Sequence, residues 1–149
     1  MIRKAKISDI KKIQALINLF AKKDLMLARS LNELYENLRD FWVYENKGKI
    51  IGCVAMHISW DDLAEIKSMA VAKPYQNKGI GSQLITACLD ESKDLGAKKI
   101  FVLTYKPNFF DKFGFKRIKQ SELPHKIWAE CINCCKVPNC QEIALLKVL

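Results

Sequence analysis

A chain of 149 residues, half of them hydrophobic and 28% charged, holds enough apolar material for the core of one ordinary domain. With 6 Gly and 4 Pro this composition excludes wholesale disorder and collagen-like or linker sequence, and no apolar run reaches the roughly 18–20 residues that a bilayer requires. The charge, 25 Lys+Arg against 16 Asp+Glu, is +9 and draws anions: nucleic acid, acidic headgroups or a phosphate-rich small ligand. The basic residues fall in scattered pairs such as Lys11-Lys12, Lys22-Lys23 and Lys98-Lys99, not in a tail, so neither nucleic acid nor a membrane is the expected partner. The start, Met1 to Asp9, turns polar where a signal peptide needs its apolar stretch, so the chain is expected in the cytoplasm.

In chain order, Ile2–Ala5 is predicted as a short edge strand. Ser8 is placed to cap a helix whose apolar residues Ile10, Ile13, Ile17 and Phe20 recur at helical spacing. A second helix starts at Ser30, where Ser30-Leu31-Asn32-Glu33 has the spacing of a capping box, with Leu31, Leu34, Tyr35 and Leu38 on its apolar face. Strands Phe41–Glu45 and Lys49–Ile58 flank Asn46-Lys47-Gly48, which has the chemistry of a tight hairpin turn. Leu63–Val71 is a third strand, ended by Pro74. A long helix from Ile80 to Leu95 carries Ile80, Leu84, Cys88 and Leu95 on one face and stops at Gly96. Ile100–Leu103 is a buried strand, Pro107–Phe113 a short helix closed by Gly114, and Ile143–Leu149 a terminal strand. Cys53 and Cys88, inside apolar stretches, are expected to be buried free thiols. Strands and helices mix without strict alternation, which predicts an α/β fold of the α+β type with a mixed sheet.

The most informative segment runs from Val71 through Lys73-Pro74-Tyr75-Gln76-Asn77-Lys78-Gly79-Ile80-Gly81-Ser82, from a strand through a Gly-containing turn into the long helix. At such a junction backbone N–H groups without helical partners converge, and the helix dipole favours negative charge. Gly79 and Gly81 remove side chains that would block a phosphate, and Lys78 adds positive charge. No Gly-Lys-Ser/Thr ends the loop, and Leu84 stands where a dinucleotide fingerprint needs its third glycine.

Gln76-x-x-Gly79-x-Gly81 after a strand resembles the acetyl-coenzyme A signature of the GNAT acyltransferases. Glu65-Ile66-Lys67-Ser68-Met69-Ala70-Val71 before it and Phe110-Asp111-Lys112-Phe113-Gly114-Phe115 after it support the resemblance, which covers essentially the whole chain. It implies a single domain over 1–149 with a mixed, mostly antiparallel sheet of about six to seven strands and about four helices. It also implies acetyl-CoA as co-substrate, no metal requirement, and pantetheine bonded like an added strand to the backbone of Met69, Ala70 and Val71. The pyrophosphate is expected on the N–H groups of Gln76, Asn77, Lys78, Gly79, Ile80, Gly81 and Ser82, with the cofactor entering between splayed strands Leu63–Val71 and Ile100–Leu103. Dimers are common in the family, which makes a homodimer possible.

Acetyl transfer to an amine needs a neutral amine, a polarised carbonyl and a stable leaving thiolate. Glu65 is the candidate base, directly or through a water, since it lies six residues before Val71, where many relatives place a glutamate; partial burial would raise its pKa. Its alternative is a solvent-facing carboxylate paired with Lys67, two residues on and on the same face. Relatives often carry a tyrosine as general acid four residues before the Gly-Phe pair, but that position is Phe110 here. A thiol of pKa about 8.5 leaves tolerably without full protonation; Tyr105 is the nearby substitute, or else a packed aromatic at a strand end. His57 and His125 are expected to be structural.

Arg29 precedes the helix cap, where a cation is disfavoured unless an anion joins it, so Arg29 and Ser30 with the helix's free N–H groups are a candidate carboxylate grip, or an ordinary cap beside a solvated arginine. The stretch from Leu27 to Phe41, with Leu103-Thr104-Tyr105 and Glu122-Leu123-Pro124-His125-Lys126-Ile127-Trp128, is similar to the acetyltransferase domain of bacterial N-acetylglutamate synthases in their short form. That resemblance implies a small amino acid as partner, L-glutamate as favoured acceptor, arginine biosynthesis as setting, and Arg29 as substrate contact. It also implies that the amino-acid-kinase-like domain of the longer synthases, where arginine feedback usually acts, is missing. Where longer synthases place an arginine and a serine on the last strand, this chain has Gln141-Glu142-Ile143-Ala144, so Lys67 or Lys126 is expected to supply the missing charge. Cys131-x-x-Cys134-Cys135-x-x-x-x-Cys140 with His125 could furnish four zinc ligands, yet no second Cys-x-x-Cys appears, and a surface loop with incidental or oxidation-prone thiols is the cheaper account. Other readings are acetylation of a protein N-terminus or a polyamine, a non-catalytic coenzyme A module, and a nucleic-acid binder.

Overall fold

The computed structural model describes residues 1–23, 25–123 and 142–149. His125, Lys126, Cys131, Cys134, Cys135, Cys140 and Gln141 lie outside them, and with them the zinc question. Among the described residues, seven strands alternate irregularly with four α-helices: β1 (Ile2–Lys4), α1 (Ile10–Ala21), α2 (Leu31–Glu36), β2 (Phe41–Asn46), β3 (Lys49–Trp60), β4 (Leu63–Val71), α3 (Ile80–Asp94), β5 (Lys99–Thr104), α4 (Pro107–Asp111), β6 (Lys116–Ile118) and β7 (Ile143–Val148). They form one sheet in the order β1-β2-β3-β4-β5-β7-β6. Every neighbouring pair is antiparallel except β4–β5.

The expected mixed, mostly antiparallel sheet is therefore present, and β4 has its predicted bounds. The hairpin turn also stands where the sequence puts it, with Asn46 paired to Lys49 and both Lys47 and Gly48 at positive φ. The central strands are buried on both faces, which is why they read as near-continuous apolar runs. On one face Val54, Met56, Ala64, Ile66, Ile100 and Val102 pack against Leu84, Ile85 and Cys88 of α3. On the other, Val43, Cys53, Ala55 and Ala70 pack against Ile10, Ile13 and Ile17 of α1 and Leu34 of α2. Cys53 and Cys88 are buried free thiols, and burial pushes the Cys53 thiol up to about 12.

Several local expectations give way to packing. Ser8 does not cap α1: a 3-10 turn, Ile7–Asp9, comes first, and Asp9 takes the polar role. Its carboxylate accepts the Lys6 N–H at 2.8 Å and a two-pronged Arg3 guanidinium at 2.7 and 3.0 Å, while Arg3 Nε reaches Glu45 at 2.7 Å. The second helix stops at Glu36 and a 3-10 turn, Leu38–Asp40, carries the chain into β2, so Tyr35 is exposed. Leu95 lies past the end of α3 and is exposed; Ile85 fills the core in its place. The short strand β6, absent from the sequence reading, pairs with β7.

Asp9 is 3% exposed, and Arg3 holds its carboxyl below the usual carboxylate range against the opposing push of burial. The stabilisation is thus complete above the unfolded value, about 3.9, and is lost as pH falls through the lower folded value. Asp9→Asn is expected to cost about 3 kcal/mol at neutral pH and to flatten the acid limb of stability, both read by urea denaturation across pH.

Candidate functional site

After Val71 a 3-10 turn with Pro74 (Lys73–Tyr75) leads into the loop before α3. Asn77 and Gly79 both take positive φ, 62° and 83°, a curl that turns successive amides toward one side. Gly79 is the N-cap of α3, with no side chain capping it, and the first helical bond runs from the Gln83 N–H to Gly79 O at 3.1 Å. The N–H groups of Ile80, Gly81 and Ser82 thus have no helical carbonyl to reach, at the positive end of a 15-residue helix. That arrangement fits a pyrophosphate. Lys78 holds its ammonium 5.8 Å from the Tyr75 ring centre, adding charge to the same loop. The Gln76 amide turns back and donates to Val71 O at 2.9 Å. At Gly81 a Cβ would stand 2.9 Å from Met69 Cε and 3.2 Å from Phe109 Cζ, so β4, α3 and α4 meet there.

β4 and β5 pair at four positions, from Leu63–Lys99 to Ile66–Val102, and then part. The remaining stretch of β4, which includes Met69, Ala70 and Val71, faces the gap without a β5 partner. Its antiparallel register with β3 slips between Cys53 and Ala55, and Ser68 takes φ 55°, a conformation that costs a non-glycine residue energy. The Cys53 thiol braces the bulge, donating to Ser68 O at 3.4 Å and accepting the Ala70 N–H. The Ser68 carbonyl is thus turned to β3, and the Val71 carbonyl is already engaged by Gln76.

Beside the bulge, toward α2, lies a shallow, open cleft lined by residues that include Arg29, Asp40, Ala55, Lys67 and Ser68. Arg29 and Lys67 are thus brought together from positions 38 residues apart. Gln14 holds the Arg29 backbone through its carbonyl at 3.1 Å. The Arg29 guanidinium makes one long contact with Glu33, 3.4 Å, while its buried Nε has no hydrogen-bond partner among the described residues. Glu65 precedes Lys67 by two residues on the same face of β4, and at 7% exposure it is not the solvent-facing carboxylate of the alternative reading. Ser30 Oγ accepts the Glu33 N–H at 3.1 Å, so it caps α2 and is absent from the cleft lining.

Phe110 is buried in the core, edge-on to Phe109 and Phe115. Tyr105 follows β5 by one residue; Phe101, the β5 partner of Glu65, lies four positions earlier, up to about 13 Å of extended chain. It therefore stands toward the mouth of the gap, at the level of Met69 rather than of Glu65. Asp40 of the turn before β2 and His57 of β3 bond at 2.6 Å beside the cleft; the sequence reading expected His57 to be structural and did not single out Asp40, since no local pattern reveals their approach.

Residues 7–115 match the model of the Acetyltransferase (GNAT) family. The chain is 38% identical over 148 residues to an uncharacterized N-acetyltransferase of Chlorobaculum tepidum, covering 99% of this chain and 96% of that protein. It is 35% identical over 133 residues to an amino-acid acetyltransferase of Mycobacterium tuberculosis, covering 87% and 76%. Its fold superposes with TM-score 0.88 on the N-acetylglutamate synthase of Neisseria gonorrhoeae complexed with coenzyme A and N-acetyl-glutamate; that match, at 26% identity, spans all of this chain and 35% of the synthase.

A methyl group at Gly81 would press on the flexible end of Met69 and stand among the unpaired amides. Gly81→Ala is expected to leave the melting temperature within a few degrees and to weaken coenzyme A binding about tenfold, equivalent to about 1.4 kcal/mol, as measured by calorimetric titration.

Proposed function

The chain belongs to the GNAT acetyltransferase family, and on that premise we propose that it transfers acetyl from acetyl-CoA to the amino group of a small amino acid, L-glutamate being the favoured acceptor. One observation carries this reading: Arg29 and Lys67, two cations from α2's leading edge and from β4, line the same cleft, on the Glu65 side of the strand. A substrate carboxylate would give the buried Arg29 Nε a partner, with the positive charge of Lys67 beside it in the same cleft. The names of the Mycobacterium and Neisseria relatives agree with this acceptor class.

The chemistry follows from the same positions. An amino acid arrives as an ammonium and must lose a proton before its nitrogen can attack. Glu65, buried and two residues from Lys67, serves as that base in this scheme. Amides at the start of α3 and the unpaired β4 edge bind acetyl-CoA, which supplies the activated acetyl group. Leaving-group protonation is the weaker requirement, since Phe110 offers no hydroxyl and a thiolate departs readily; Tyr105, at the mouth of the gap, is the candidate acid. Polyamines are a poorer fit, because Arg29 and Lys67 would repel a polycation.

The deciding experiment incubates the enzyme with acetyl-CoA and a panel of glutamate, glutamine, other amino acids and spermidine, following thioester absorbance and identifying products by mass spectrometry. N-acetylglutamate is the expected product; turnover of spermidine or a peptide amine alone would overturn the acceptor assignment. Glu65→Gln is expected to lower kcat by about 10²–10⁴ while retaining acetyl-CoA affinity. Arg29→Ala is expected to raise the KM for glutamate by about 10–100-fold with a smaller effect on kcat.

A further inference from the structure

In the antiparallel pairing of β3 with β4, His57 stands directly opposite Glu65. Residues paired in this way point to the same side of a sheet, with Cβ atoms about 4.5–5.5 Å apart. The neighbouring pair on that face is Ala55 with Lys67, both of which line the cleft. His57 Nδ1 lies 2.6 Å from Asp40 Oδ2, and Asp40 lines the cleft as well. Exposure rises along this row: Glu65 is 7% exposed, whereas the His57 side chain is 37% exposed.

A carboxylate that takes a proton from each substrate must give it up before the next turnover, and Glu65 has little direct access to water. We propose that His57, oriented by Asp40, is the relay that carries this proton from Glu65 to solvent. The proposal rests on the reading of Glu65 as the base. An ionised Asp40 can only accept, so the neutral imidazole places its hydrogen on Nδ1 and keeps the Nε2 lone pair for an incoming proton. The charged groups around the ring are Asp40 from the 3-10 turn, Glu65 and Lys67 from β4, and Arg29 and Glu33 across the cleft.

The protons balance. The substrate ammonium gives one to Glu65, and the freed nitrogen lone pair forms the N–C bond while the C–S bond breaks with its electron pair going to sulfur. The second nitrogen proton ends on the thiol. The first passes from Glu65 to Nε2, directly or across one water, and leaves the imidazolium for bulk water, with the Asp40 carboxylate stabilising the cation in between. His57 acts through Glu65 and is a positioning and relay group, not a residue touching the reacting atoms.

The test uses the full chain with whichever amine the wild-type enzyme acetylates. His57→Asn keeps a donor for Asp40 but cannot take a proton. It is expected to hold the wild-type melting temperature and a KM within about threefold, and to lose about 10–100-fold in kcat. His57→Ala is expected to lose as much and to regain activity when imidazole is added, more strongly as pH rises and the free base accumulates. Wild-type kcat in His57→Asn, or no response of folded His57→Ala to imidazole, overturns the relay; should His57→Asn fail to fold, His57→Gln is judged by the same kcat and KM readings. An acceptor other than glutamate overturns only the glutamate assignment, since the His57 comparison is then made with that amine, and full activity in Glu65→Gln overturns the base and the relay together.

Discussion

Beyond Ile66 and Val102 the two parallel strands at the centre of the sheet stop exchanging hydrogen bonds, and the sheet divides into a wing of β1 to β4 and a wing of β5 to β7. A gap in the middle of a sheet leaves backbone donors and acceptors without partners, which is costly unless water or a ligand takes them. The rest of the site is arranged around that gap. The bulge at Ser68 bends β4 away from regular pairing, and the strand's end delivers the chain to the start of α3. α4 closes on the same point through Phe109. An extended ligand with amides along its length and phosphates at one end matches both the open edge and the helix terminus.

The face of β4 toward α1 and α2 carries a different chemistry. The chain as a whole has a +9 charge, but the cleft is not simply basic: Arg29 and Lys67 share it with Glu33 and Asp40. A lining that holds both signs offers partners to both charges of a zwitterion, whereas a bare cation or a bare anion meets only one of them. The excess positive charge elsewhere works at longer range, favouring the approach of anionic ligands such as acetyl-CoA.

What the sequence disclosed follows a physical division. β4, the hairpin turn and the loop into α3 were legible because each is specified by short-range chemistry: an apolar strand, a Gly-containing turn, paired glycines at a helix start. Arg29 was singled out by its place before a helix cap as well as by resemblance, and Lys67 as a substitute for a charge the last strand lacks, while their convergence depends on how α2 packs on β4. Asp40 and His57 were not legible, since the pairing of His57 with Glu65 is a matter of register between strands. The cap of α1 failed for a related reason: Ser8 has the local signature, but a guanidinium from β1 selects Asp9 instead. The early end of α2 likewise reflects the turn needed to enter β2 rather than any breaker in its own sequence.

The bond from the Gln76 side chain to the Val71 carbonyl closes a loop between residues five positions apart. The end of β4 and the loop before α3 are thereby held as one unit before any ligand arrives. Ordering a mobile segment on association costs about 0.5–1.5 kcal/mol for each side chain immobilised, and here much of that freedom has been surrendered on folding. The thermodynamic consequence is a loop whose contribution to affinity is dominated by enthalpy of contact, with a small entropic penalty. The kinetic one is that a ligand meeting this loop need not wait for it to reorganise.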